Sequence, residues 1–530
     1  MTTLTVNDSS QPQFDASPLS SEGLTAAKLA TPALAALAIA KIVIQFAGIA
    51  HYGFFRDELY YMACGEHLAW GYIDQPPLVA FAAWFARHVF GNSIVSIRLL
   101  PVLAGAATVF LTGVLARELG GGRWAQLVAA AGILVAPAYL AFDSFFSMNA
   151  FEPLFWVLCA LLALRIVNDG SPRLWLVFGA IAGVGIENKH TMLMFGFALI
   201  AGLLLTGHAS ILRSRWIWLG GLIALALFLP NLIWEARHGW PQVEVVRNAQ
   251  VFKNVQIGPL RFLGEQALFL NPLALPIWLA GLLWCFFARN EKRFRFLGWG
   301  YVIILAAFMI GDGKTYYPLP YYPILFAAGA IAWERVSAIS WRRARTVLVA
   351  SVVISGLIVV PWAVPVLPVD TFVQYEGAFP RFFHVHMERD AAVALPQLYA
   401  DMFGWQNLTN TVARVYQALP TAEQADCAIL AGNYGEAGAI DYYGPQLGLP
   451  KAVSGHNSYY DWGPRDYSGT CVILLGERAE QHKQYFGDAQ LAATVTNPHG
   501  MVIEQKINVY VCRKPVASLA ALWPKFKMII

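Results

Sequence analysis

Charge is what this chain has least of. Asp, Glu, Lys and Arg make up 13% of its 530 residues, against 57% hydrophobic residues, and mean hydropathy is +0.50. A soluble domain carries about 25% charged residues, so a wholly soluble protein is excluded. The net charge of +4 sits in short loops and gives no indication of nucleic-acid binding. Cysteine is also sparse. None of the six cysteines falls in a CxxC or His–Cys spacing that marks a metal site. Cys159 and Cys285 lie in apolar spans as packing residues, and Cys64 lies near an acidic cluster. Cys427, Cys471 and Cys512 lie in the polar C-terminal third. There, Cys471 and Cys512 could pair across two strands if the region faces an oxidising compartment. No P-loop or GxGxxG fingerprint occurs, so no nucleotide is implied. Residues 1–28 lack the basic stretch that opens a cleavable signal peptide. Polar and rich in Ser and Thr, they read as a disordered cytoplasmic tail.

What the chain has instead is long apolar runs. Eleven approach spanning length, near 30–50, 98–117, 124–142, 148–167, 174–189, 190–207, 216–234, 268–288, 297–312, 320–334 and 346–366. They predict an α-helical polytopic membrane protein with about 11 transmembrane helices over residues 29–368. Alternate loops carry the basic residues: Arg117 and Arg123, Arg165 and Arg173, Arg213 and Arg215, Arg289 to Arg295, and Arg335 to Arg345. The positive-inside rule puts these loops in the cytoplasm. The N-terminus is then cytoplasmic, and the 51–97 loop and the C-terminal region lie outside, in the periplasm if the membrane is a bacterial inner membrane. Within that loop, 77–88 reads as an interfacial helix. From about 380 to 515, apolar stretches such as 427–431, 471–475 and 509–512 alternate with helical ones, which predicts a soluble α/β domain.

The polar residues that could carry chemistry gather on the outer side. Arg56, Asp57 and Glu58 follow the first span, and Asp74 precedes Pro76 and Pro77, which stiffen the chain. Asn149 and Glu152, three apart, share one helix face. Lys189 and His190 lie in a tight turn, Lys314 precedes Tyr316 and Tyr317, and His238 follows Trp234. Charge beside lipid is costly, so these groups are functional-site candidates. A carboxylate could take a proton from an acceptor, and a cation could neutralise a departing phosphate. Each also fits a structural role. Asp57 and Glu58 could be a solvated helix-end pair, Asp74 a turn former, and Lys189 and Lys314 snorkelling cations. The tyrosines and His238 could belong to an aromatic belt.

Several motifs resemble glycosyltransferase family 39, which groups protein O-mannosyltransferases with lipid A aminoarabinose transferases. They are 55–61 (FRDELYY), 74–78 (DQPPL), 147–156 (SMNAFEPLFW), 187–191 (ENKHT), 230–234 (PNLIW) and 314–320 (KTYYPLP). The resemblance spans roughly 35–335 and implies a GT-C fold. It also implies a polyprenyl-phosphate-linked sugar donor, and a lipid, glycan or protein acceptor outside the membrane. It makes Asp57 the catalytic base or acceptor-orienting group, with Glu58 and Asp74 as further catalytic acids. Lys189, Lys314 and Arg56 become donor-phosphate ligands, and Asn149, Glu152, His190, Tyr316, Tyr317 and His238 substrate contacts. Gln75 replaces a lysine of the aminoarabinose branch, which argues against that sugar. Asn149 replaces an aspartate of many relatives, which weakens any metal role. A divalent ion on Asp57 and Asp74 stays compatible with the ligand types. The turns 433–438 and 454–459 resemble those of a C-terminal extension in some bacterial members, and could line a sugar or acceptor site or simply be tight turns.

Two rivals remain at this stage. A secondary transporter or lipid flippase would place its polar groups near the bilayer midplane, within repeats; no repeat is evident. A membrane anchor presenting the α/β domain would leave the acidic first loop unexplained.

Overall fold

A computed structural model describes residues 28–168, 170–255, 257–336, 339–379, 395–476 and 478–530. The expected N-terminal tail, up to residue 27, lies outside them, as does the stretch 380–394 at the start of the expected soluble domain. Each apolar run contains a helix. Among the described residues, six helices are long and apolar enough to cross a bilayer. They become seven if Pro259–Phe269 and Pro272–Phe287, bent by 96°, form one span. Leu174–Asn188 and Thr191–Leu205 have 15 residues each, about 22 Å at 1.5 Å per residue, less than a hydrocarbon core of roughly 30 Å. The run at 124–142 breaks before Pro137 into Arg123–Leu134 and Pro137–Phe142, because the residue preceding a proline avoids helical angles. The chain is therefore a polytopic helical bundle, but helix length does not establish eleven crossings.

A buried ion pair ties the bundle together. Lys41 of the first helix, Thr31–Gly48, lies 2.8 Å from Asp143 and donates to the Tyr139 carbonyl. In a dry site such a pair persists only when hydrogen bonds complete it. Lys41 is invisible as a partner in the sequence, since it sits mid-span.

The 51–97 loop folds into two helices, Arg56–Glu66 and Leu78–Phe90. The second is amphipathic. Val79, Ala80, Ala83 and Ala86 are buried, while Phe81, Phe85, Val89 and Phe90 stay exposed, the surface expected of a helix lying along an interface. The loop is anchored to helix Arg215–Arg237, where the Asn231 amide donates to the Trp70 carbonyl at 2.8 Å. Gly71 permits this approach, because a Cβ there would collide with the Trp234 ring and the Asn231 amide.

The C-terminal region carries a five-stranded sheet in the order β2-β1-β3-β5-β4. The strands are β1 (Cys427–Ala431), β2 (Val453–Ser454), β3 (Cys471–Leu475), β4 (Phe486–Thr496) and β5 (Lys506–Pro515). β2, β1 and β3 run parallel, β5 runs antiparallel to β3, and β4 runs antiparallel to β5. β1 and β3 are buried along their whole length, as a two-sided parallel core requires. The packing continues past 515, since Leu519, Leu522, Trp523 and Phe526 close one face. Cys471 does not pair with Cys512, as the sequence allowed; the disulfide joins Cys427 and Cys471. These two are register partners on β1 and β3. Cys512 pairs in register with Val472, so the side-chain alternation of a strand turns it away from Cys471, and it remains a buried thiol.

Helix Tyr434–Tyr443 seats this domain on the first loop by crossing helix Arg56–Glu66. Gly438 is the contact point. A Cβ there would meet the Leu59 carbonyl at 2.9 Å, so glycine sets how closely the two helices approach.

Candidate active site

Helix Arg56–Glu66 begins at an extended Phe55 and carries Asp57 and Glu58 in its first turn, where carboxylates suit the helix dipole. The two acids then part company. Asp57 faces a cavity of about 420 Å³. Glu58 turns into the core and is fully buried. Arg98 binds both of its oxygens, at 2.9 and 2.7 Å. The amides of Phe146 and Phe55 donate to them at 2.7 Å each. Arg98 also reaches the carbonyls of Ile49 and Gly53. The structure thus gives Glu58 no access to a substrate; it is the keystone that joins the first span, the first loop and the helix from Ile94.

The cavity brings together Asp57, Asp74, Asn149, Lys189, His190, Lys314, Tyr316 and Tyr317, from five separate stretches of sequence. Lys189 is oriented by hydrogen bonds to Asn149 at 2.8 Å and Glu152 at 3.0 Å, and it stands over the Tyr317 ring at 4.6 Å. Glu152 also accepts from the Thr191 hydroxyl. Asn149 and Glu152 therefore act on the lysine, which is what their shared helix face makes possible. Lys314 lies over Tyr316 at 5.9 Å, so the tyrosines form cation–π shelves for both lysines. His190 is held by Asn231 at 3.0 Å, the same residue that anchors the first loop. Arg56 borders the cavity's neighbour, an adjoining recess that also contains Asp57, Asn149 and Lys314. Its guanidinium lies 4.0 Å from Asp57 and 3.6 Å from Asp401. His238 is not brought to the cavity; it stacks on Trp234 at 4.0 Å in an exposed turn. Gln75 is buried, with its amide 3.5 Å from the Cys64 sulfur.

The C-terminal domain supplies the wall that sequence reading left open. Asn433 caps helix Tyr434–Tyr443 by accepting from the Glu436 amide at 3.0 Å, and Glu436 accepts from the Gly432 amide at 2.8 Å. This N-cap aims Tyr434 at the site, where its hydroxyl donates to Asp57 at 2.8 Å. Asn-x-x-Glu is a readable helix-start signal, although the segment reads at first as a glycine-rich turn. Asn457 donates to one oxygen of Asp74 at 3.0 Å, and Tyr60 donates to the other at 2.6 Å. Asn457 has φ +46°, an uncommon backbone setting that clusters at functional positions. Burial pushes the Asp74 carboxyl up to about 6, with the Asp57 charge adding to the rise and the Tyr60 and Asn457 hydrogen bonds opposing it. Lys253, in the π-helical turn Ala249–Lys253, also lines the cavity; a single cation in a loop gave no sequence signal.

Among the described residues no group of three or more His, Cys, Asp or Glu side chains could hold a metal ion. Asp57 and Asp74 both face the cavity, but each already accepts protein hydrogen bonds. This donor set does not make a complete cation site by itself, and no step below passes through one.

Comparison with known proteins puts this geometry in context. Residues 74–234 match the dolichyl-phosphate-mannose-protein mannosyltransferase family. The lipid A galacturonosyltransferase RgtD of Rhizobium johnstonii is 24% identical over 423 residues, which cover 76% of this chain and 84% of RgtD. The crystal structure of ArnT from Cupriavidus metallidurans bound to undecaprenyl phosphate superposes with a TM-score of 0.62 at 14% identity, covering 91% of this chain and 98% of ArnT. The chain is a glycosyltransferase, similar to those of the GT-C class. The oligosaccharyltransferase of Archaeoglobus fulgidus shares the fold more distantly, with a TM-score of 0.52 at 12% identity over 85% of this chain and 70% of that one. In this enzyme the matched segment begins at Asp74 and includes Asn149, Glu152, Lys189 and His190. Asp57, Lys314 and the C-terminal wall lie outside it.

Proposed function

We propose that this enzyme transfers a sugar from a polyprenyl-phosphate donor to an acceptor hydroxyl or amine at the periplasmic face of the inner membrane. The observation that carries the reading is one cavity holding a positioned carboxylate, Asp57, together with two cations, Lys189 and Lys314, on aromatic shelves. Asp57 takes the acceptor proton as the acceptor atom bonds to the anomeric carbon. The bond from that carbon to the phosphate oxygen breaks through an oxocarbenium-like state, and polyprenyl phosphate leaves with the electron pair. Lys189 and Lys314 neutralise the charge that grows on the phosphate, which is where pre-oriented cations lower a barrier most. Tyr434 fixes the Asp57 carboxylate, and Asp74, held at both oxygens, orients the acceptor. The solved ArnT complex contains undecaprenyl phosphate and RgtD is named for lipid A; both favour a polyprenyl-phosphate donor and a lipid acceptor here. The Cys427–Cys471 bridge favours an oxidising compartment for the C-terminal domain, as the basic-loop pattern does.

The test is transfer from a panel of radiolabelled polyprenyl-phosphate sugars to membrane lipids by the purified enzyme. Asp57→Asn should lower the rate about a hundred- to ten-thousandfold, the span general-base removal produces, with donor KM little changed. Full activity in that variant would remove Asp57 from its role.

A further inference from the structure

A buried carbonyl in the turn that carries Lys314 lacks its usual donor. The Lys314 carbonyl accepts from the Tyr317 amide at 3.0 Å, and the Tyr316 carbonyl from the Leu319 amide at 3.1 Å, each three residues on. The same pattern would pair the Thr315 carbonyl with residue 318. That residue is Pro318, which has no N–H to give. Thr315 is buried, and an unpaired carbonyl away from water costs about as much as a lost hydrogen bond. A side chain supplies the donor instead: the Gln266 amide reaches the Thr315 carbonyl at 2.5 Å.

Gln266 belongs to helix Pro259–Phe269 and is fully buried. Its amide is held from both ends. Its oxygen accepts from the Tyr322 hydroxyl at 3.3 Å, which in turn lies 2.7 Å from the Tyr301 hydroxyl. Its nitrogen also donates to the Phe262 carbonyl at 3.4 Å. Polar side chains inside an apolar bundle are costly and mark function, and a connected network holds one arrangement. The turn that this network grips presents Lys314, Tyr316 and Tyr317 to the catalytic cavity.

We propose that Gln266 is a positioning residue for the donor phosphate. By pairing the carbonyl that Pro318 leaves bare, it fixes the backbone next to Lys314 and so directs that cation into the cavity. The inference rests on the reading of Lys314 as a donor-phosphate ligand and extends it to a residue outside every family-like motif.

The experiment is equilibrium binding of fluorescent undecaprenyl phosphate to the full-length protein in nanodiscs, for single and double variants. Gln266→Leu, which nearly keeps the volume and removes the donor, should weaken binding about tenfold, the worth of one charge-assisted contact. In a Lys314→Ala background the same change should cost less than about twofold, because residues that act as one unit are not additive. In an Asp57→Asn background it should keep its full effect. Pro318→Ala restores a backbone N–H where Thr315 needs one, and should recover most of the affinity lost in Gln266→Leu. A glutamine with only a structural role would lower the yield of folded protein and leave the affinity of the folded fraction unchanged. Tyr322→Phe removes one hydroxyl and frees the amide to turn; it should weaken binding about threefold, as for one neutral hydrogen bond, and takes the place of Gln266→Leu if that variant does not fold. Parent affinity in the variant used, a full loss that persists without Lys314, or no recovery with Pro318→Ala overturns the proposal. Parent affinity in Lys314→Ala would sink the donor-phosphate reading and the proposal with it. Weakened binding in Lys314→Ala beside parent affinity in Gln266→Leu sinks the proposal alone.

Discussion

Adjacent acids in this chain have opposite fates, and mutation should separate them. Asp57 remains partly solvent-accessible, so its loss should remove activity and spare the fold. Glu58 is enclosed by Arg98 and two amides. Glu58→Ala strands a buried guanidinium, which costs about 3–5 kcal/mol. The expected outcome is loss of folded protein in thermal unfolding, with the remaining folded fraction still binding donor. Asp74 adds a pH signature. With its pKa raised to about 6, the ionised form is lost as pH falls through that value, so the rate should drop on an acidic limb near pH 6. Asp74→Asn should give a low rate without that limb. The stability term has the opposite sign. Between the ordinary carboxylate pKa and 6 the folded state binds more protons than the unfolded one, so the contribution of Asp74 to stability falls as pH rises across that window. Which carboxylate turns inward could not be read from Asp57-Glu58 alone, because the deciding partner, Arg98, lies forty residues away.

Among the elements, the crossing of helices Arg56–Glu66 and Tyr434–Tyr443 carries most of the site. One presents Asp57, and the other brings Tyr434 to it. Gly438→Val should push the helices apart at Leu59 and detach Tyr434 from Asp57. Limited proteolysis would report the loosened domain, and kcat should fall further than in Tyr434→Phe, which removes one hydrogen bond worth about 1.5–3 kcal/mol to a charged group. The strands at 427–431, 471–475 and 509–512 were legible because buried strands need continuous apolar runs. Their order was not, and the cysteine pairing went with it: β1 and β3 are neighbours while β5 comes in beyond them. Helix existence in the bundle was legible in the same way. Helix breaks such as that at Pro137 and the 96° bend before Pro272 depend on packing, and crossing number depends on them.

For the whole molecule, the basic-loop alternation and the outer clustering of polar residues carried the reading of a polytopic enzyme with its chemistry at one face. The cavity joins distant stretches of chain, and the family-like motifs pointed to most of them. What they could not supply is the contribution of the C-terminal domain, since Tyr434 and Asn457 meet the site only through tertiary folding. Topology has its own check: in a Gln490→Cys variant, at an exposed position of β4, a thiol reagent that cannot cross the membrane should label the protein in intact spheroplasts, and labelling only after lysis would contradict the orientation. The central claim is tested most directly by sugar transfer from polyprenyl phosphate in a purified, reconstituted system, comparing the parent enzyme with Asp57→Asn and the Lys189→Ala, Lys314→Ala double variant. The account predicts transfer by the parent, loss of turnover with donor binding intact in Asp57→Asn, and weakened donor binding in the double variant. Transfer at the parent rate by Asp57→Asn, or unchanged donor affinity without the two lysines, would contradict it.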